Sequence, residues 1–118
     1  MADARFAGKL IAVIGDEDTV TGFLLAGVGE RTAKGENFMV VNAETKPADV
    51  LAKFQALTKR DDIAIVLINQ HIANLIRHAL AQYNQLVPTV LEIPSKEHPY
   101  DPSKDQVLKQ VNMLLGGE

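Results

Sequence analysis

Apolar positions along the chain follow two alternating rhythms. Short runs rich in β-branched residues stand at Leu10 to Ile14, Phe38 to Val41, Ile63 to Ile68 and Thr89 to Ile93, and between them apolar residues recur at three- and four-residue spacing. Runs of the first kind read as strands and the segments between them as amphipathic helices, an alternation that predicts a parallel α/β sheet. The first three runs show no polar alternation, as strands covered on both faces require. Glu92 interrupts the fourth, which marks it as an edge strand with one face toward water or a partner. Right-handed crossovers make the order 2-1-3-4 the economical one. The fold class predicted is α/β, a small flavodoxin-like (CheY-like) four-stranded parallel sheet flanked by helices.

The first helix is expected after Gly15-Asp16-Glu17-Asp18, with Asp18 as N-cap and Val20, Phe23, Leu24 and Val28 as its apolar face. Gly22 would let it approach the sheet closely, and Gly27 and Gly29 would end it. A second helix starts near Thr45-Lys46-Pro47, with Val50, Leu51, Phe54 and Leu57 on one side, and Lys59 to Asp62 is the polar turn that follows. The third has Asn69 as N-cap and sets Ile72, Leu75, Ile76, Ala79, Leu80 and Tyr83 on one face. Val87-Pro88 then leads into the fourth strand, where proline is tolerated at a start or an edge.

Beyond Ile93 the rhythm breaks, because Pro94, Pro99 and Pro102 exclude a regular helix or central strand. The last helix can begin with Asp101 as N-cap and Pro102 at its first position, or one turn later with the capping-box pattern Ser103-Lys104-Asp105-Gln106. Val107, Leu108, Val111, Leu114 and Leu115 form its stripe, and Leu108, Val111 and Leu115 follow the spacing of a coiled-coil seam. The single domain, residues 1–118, thus divides into an α/β globule over 1–93, a Pro-rich hinge loop over 94–102 and a C-terminal helix over 103–118. That helix either covers the sheet or leaves it.

Composition narrows the function. Hydrophobic residues make up 47% and charged residues 23% of the 118, which describes an ordinary globular domain and excludes a disordered tail. The net charge of −3 is scattered, so no basic stripe offers itself to nucleic acid or to an anionic membrane surface. The chain has no cysteine, which removes thiolate chemistry and Cys-ligated zinc and suits a reducing compartment. Its longest apolar run, Ile63 to Ile68, is far short of the ~20 residues of a membrane span. Met1 to Arg5 lacks a signal-type core, so direct membrane insertion is not expected.

Ligands of such a sheet sit at the carboxyl ends of its strands. The first of these loops holds the acidic cluster Asp16-Glu17-Asp18, which keeps open a receiver-like signalling or magnesium-binding domain. A receiver also needs an aspartate at the end of the third strand, and Asn69-Gln70 stands there. Neither G-x-G-x-x-G nor G-x-x-x-x-G-K-[ST] occurs, so no glycine loop cradles a nucleotide and no cofactor is expected. His71 and His78 would lie about 10 Å apart along a helix and cannot share a zinc ion. Ser95, Lys96, Glu97, His98, Asp101 and Ser103 contain hydrolase side-chain types but no nucleophile elbow, and read better as a recognition loop anchored by Pro94 and Tyr100. No catalytic or metal residue is assigned. The candidate partner interface comprises Gln70, His71, Ser95, Lys96, Glu97, His98 and Tyr100 with Leu108, Val111 and Leu115.

The runs Leu10 to Thr19 with Thr21-Gly22-Phe23, Arg60 to Ala64, Leu67 to Ala73, and above all Glu92-Ile93-Pro94-Ser95-Lys96-Glu97-His98-Pro99-Tyr100-Asp101 closely resemble the F subunits of eukaryotic vacuolar-type (V-type) proton ATPases. The likeness covers nearly the whole chain, and Arg31 to Asn37 and Asn42 to Lys53 look individual. It implies a non-catalytic component of the central rotor stalk, docked on the helical hairpin of the D subunit and turning with it. ATP would be hydrolysed by the A and B subunits, with transient contact between this chain and their ring. Torque would pass to a membrane sector that moves protons. The implied location is the cytoplasmic side of vacuolar or endosomal membranes, within a peripheral complex.

Overall fold

The computed structural model describes residues 9–29, 31–32 and 35–115; Met1 to Arg5 and the last three positions of the expected C-terminal helix lie outside the described residues. In chain order the elements are β1 (Leu10–Gly15), α1 (Glu17–Leu25), β2 (Arg31–Thr32), β3 (Gly35–Glu36), β4 (Phe38–Val40) and α2 (Pro47–Lys59), followed by β5 (Ile63–Asn69), α3 (Gln70–Ala73), α4 (Arg77–Gln82), β6 (Thr89–Ile93) and α5 (Gln106–Leu114). Single 3-10 turns cover Asn74–Ile76 and Pro102–Lys104. The main sheet is parallel throughout, in the order β4-β1-β5-β6. Those four strands are the predicted ones in the predicted spatial order. The difference is the small antiparallel hairpin β2–β3, whose Arg31 lies opposite Glu36. Nothing in the polar stretch from Arg31 to Asn37 signals it by periodicity.

One face of the sheet carries the main core. Ala12 and Ile14 of β1, Val66 and Ile68 of β5 and Val90 of β6 pack with Val50, Phe54 and Leu57 of α2 and with Ile72, Ile76 and Leu80. The ring of Phe54 meets that of Tyr83 edge-on at 5.6 Å, and each large apolar side chain so buried contributes about 1.5–3 kcal/mol. On the opposite face, α1 lies over β1 and β4 and buries Val20.

Four local expectations are corrected. Asp16, not Asp18, caps α1: its backbone is extended (φ −69°, ψ 171°), which lets its side chain accept from the Thr19 N–H at 2.8 Å, while Asp18 sits inside the first turn. Gly22 is exposed, with nothing within 4 Å of where a Cβ would stand. Gly15 makes the close approach instead, for a Cβ there would lie 2.7 Å from Asn69 Oδ1. The third helix is split, because Ile76 leaves helical dihedrals (φ −127°, ψ 31°) between the 3-10 turn and α4. The spacing of Ile72, Ile76 and Leu80 suits a continuous helix as well as the broken one, and Leu75, expected on the buried face, is exposed. The end of α1 is as expected: Gly27 (φ 88°) lets the Val28 N–H reach the Phe23 carbonyl at 2.7 Å, closing a Schellman motif.

The fourth correction concerns the last helix. Asp101 caps only the 3-10 turn, accepting from Ser103 N at 3.0 Å, and Asp105 caps α5, accepting from Val107 N at 2.9 Å and Leu108 N at 3.4 Å. Two successive aspartate caps replace both predicted starts, so no Ser103 to Gln106 capping box forms. The helix rests on α4 and on the 3-10 turn before it. Val107 is half-buried, whereas Leu108 and Val111 are 39% and 41% exposed and Leu114 and Leu115 more so. The apolar stripe is therefore not covered by the sheet.

Candidate functional site

Three polar clusters join the carboxyl ends of the strands to the C-terminal segment. At the first, Asn69 closes β5 with its side chain fully buried. Expected as an N-cap, Asn69 makes no side-chain capping bond to α3. Its Oδ1 accepts from Asp16 N at 2.8 Å, and its Nδ2 donates to Thr19 Oγ1 and to the Pro94 carbonyl, both at 3.2 Å. One amide thus ties together the loops after β1, β5 and β6. Of the groups a receiver would use, Asp16 caps a helix and an amide stands where the phosphoacceptor would be, while Glu17 and Asp18 are exposed.

The second cluster surrounds Glu92. β6 is an edge strand as predicted, but Glu92 faces neither water nor an open surface, being 8% exposed. Arg77 grips it with both ends of its guanidinium, Nη1 to Oε2 at 2.6 Å and Nη2 to Oε1 at 2.7 Å. Gln70 Nε2 donates to Oε1 at 3.3 Å, and the first backbone N–H of α5, from Gln106, donates to Oε2 at 2.9 Å. Gln70 also clasps the Asp101 peptide, donating to its carbonyl at 2.7 Å and accepting from its N–H at 2.5 Å. Burial works to raise the pKa of Glu92, yet the hydrogen bonds from Arg77 and Gln106, with the Arg77 charge, outweigh it and hold the carboxyl below its ordinary value. Sequence reasoning misses Arg77. The signal available is chemical: an acid in an otherwise apolar strand demands a cation, and Arg77 lies in the helical segment just before that strand.

The third cluster is the proline-rich loop. Ser95 and His98 close a tight turn through paired backbone hydrogen bonds of 3.1 and 3.3 Å. His98 stacks on His71 with ring centroids 4.0 Å apart and planes 19° from parallel. Burial lowers the pKa of His71 and the neighbouring His98 lowers it further, while Asp16 and Glu97 act the other way. Tyr100 donates its hydroxyl to Asp105 Oδ2, and this bond is the main cause that pushes its pKa up to about 12. A shallow cleft bordered by Asp16, Glu17, Asp18, Lys96 and Glu97 runs beside the stacked rings.

Of the residues singled out by sequence, Lys96, Glu97 and His98 are exposed at the loop tip, His71, Ser95 and Tyr100 are half-buried beneath them, and Leu108 and Val111 on α5 and Leu115 just past its end are exposed. Gln70 is buried, so it lies under this surface and shapes it. The structure brings the loop residues together and places the α5 stripe on a separate element.

A family model described as ATP synthase (F/14-kDa) subunit matches residues 11–111, from β1 into α5. The V-type proton ATPase F subunit of Homo sapiens is 54% identical over 112 residues, 94% of this chain and 94% of its own length. The chain belongs to this F-subunit family. Other relatives agree: the V-type proton ATPase F subunit of Dictyostelium discoideum is 53% identical over 110 residues, 92% of both chains, and that of Neurospora crassa 56% identical over 119, 98% of this chain and 95% of its own length. As a member of that family the chain is part of the V-type ATPase complex, a machine of proton transport. No helix among the described residues is long and apolar enough to cross a membrane.

Proposed function

We propose that this chain is a non-catalytic rotor component of the V-type ATPase central stalk, which binds the D subunit and helps couple ATP hydrolysis to rotation and proton transport at a vacuolar or endosomal membrane. The observation that carries this reading is α5. A helix of nine residues is too short to be stable alone, yet Leu108 and Val111 on it and Leu115 at its C-cap are exposed at coiled-coil spacing. Such a stripe fits a second helix, and the long helical hairpin of the D subunit is the partner of that chemistry. The α/β globule to Ile93 acts as the rigid body, densely packed and poorly compressible under load, the loop over 94–102 as the joint, and the segment from 103 onward as the partner-engaging arm. The tip residues Lys96, Glu97 and His98 form a second, polar contact, backed by His71, Ser95 and Tyr100.

Titration of the full chain onto the isolated D subunit tests the polar contact. Reversing both charges with Lys96→Glu and Glu97→Lys is expected to weaken binding about threefold to tenfold, more at low salt than at high. Unaltered affinity at low salt would move the docking surface away from this loop.

A further inference from the structure

Among the described residues, α5 is joined to the body by the Gln106 N–H and by partial apolar burial: Val107 is half-buried, Leu108 and Val111 are 39% and 41% exposed, and Leu114 and Leu115 more so. What converges on the start of the helix is the Glu92 carboxylate, which accepts from Gln106 N at 2.9 Å while Arg77 and Gln70 hold its oxygens from the body side. We propose that Glu92 is a latch: its carboxylate fastens the first turn of α5 to β6, and breaking that joint releases the helix as a unit while the sheet stays intact.

The chemistry is suited to this. Glu92 and Arg77 lie on β6 and α4, so the half of the latch that needs a buried charge is built entirely into the body. Among the described residues, α5 contributes one backbone N–H to this joint and no salt-bridging side chain, and so can leave without stranding a buried charge partner. Gln70 holds the preceding segment through both polar groups of the Asp101 peptide, which fixes where the arm pivots. On release α5 loses its cover, and a free helix of this length frays in water. The purpose of release, handing the Leu108, Val111 and Leu115 stripe to a partner helix, rests on the function proposed above. The latch itself is a property of the isolated chain.

Limited trypsin digestion of the full chain reads the latch directly. Cleavage after Lys109, within α5, reports the arm, and cleavage after Lys59, at the end of α2, reports the body. Glu92→Gln keeps the shape of the side chain and removes its charge. Gln106→Pro deletes the donated N–H at the first helical position, where proline fits and where Asp105 already has the extended backbone (φ −73°, ψ 120°) that proline asks of its predecessor. Each variant is expected to speed cleavage after Lys109 about tenfold, and in Gln106→Pro, which leaves the Glu92–Arg77 pair in place, cleavage after Lys59 should change less than about twofold. An unchanged Lys109 rate in Gln106→Pro overturns the latch, as does an equal rise at both sites in that variant. A working latch in a chain that fails to bind the D subunit would leave this inference standing and remove the proposed function, so the two fail separately.

Discussion

Replacing Leu108, Val111 and Leu115 together by serine should leave the α/β body folded and weaken the hold of the chain on the D subunit, the partner proposed above, by roughly a hundredfold. The size follows from area: three partly exposed apolar side chains, each losing about 1 kcal/mol of burial available only in the complex, sum to about 3 kcal/mol. The body is spared because these residues are exposed in the isolated chain and lie outside the main core. Circular dichroism and thermal unfolding of the free chain, set beside ATP-driven proton pumping by the assembled complex, separate the two effects. Normal assembly and pumping with the triple variant would show that α5 has no coupling role, and truncation after Pro102 would then have to be equally silent.

Arg77→Ala should be the most damaging single change outside the apolar core. It removes the cation from a carboxylate whose side chain is 1% exposed while the Arg77 side chain is 23% exposed, leaving a buried charge with only amide donors. The expected cost is about 3 kcal/mol, at the lower end for breaking a buried pair because the arginine reaches solvent. For a domain of this size that lowers the melting temperature by roughly 10 °C. Acid should act on the same group. The folded state holds Glu92 below its ordinary value of 4.5, so its contribution is complete above that pH and is lost as pH falls below it. The wild-type chain should therefore lose stability on acidification more steeply than Glu92→Gln, in thermal scans stepped from neutral pH to below pH 4. Parallel slopes would mean that Glu92 is not held as a carboxylate.

The strands were legible because burial on both faces writes itself as unbroken apolar runs, and four such runs with right-handed crossovers leave few arrangements. Less legible were features set by single side-chain bonds. Nothing in the local pattern says that Asn69 ties three loops together instead of capping a helix, since either use needs only an amide at a strand end. Glu92 looked like an acid facing water because an edge strand normally offers that face. The C-terminal segment covers it, which no periodicity encodes. The candidate surface was more readable than its support: the loop tip and the α5 stripe stand out as polar and apolar exposures without a core to join. Arg77 and Gln70, which position the arm, look like ordinary helix-surface residues until their partner across 15 or 22 positions is known.

As a rotor component the chain is expected to turn with the stalk. With the catalytic ring fixed to a surface and a bead attached to this chain at exposed Lys59, ATP should drive stepwise rotation of the bead. A bead that stays bound to the complex but stationary while ATP is hydrolysed would contradict the account.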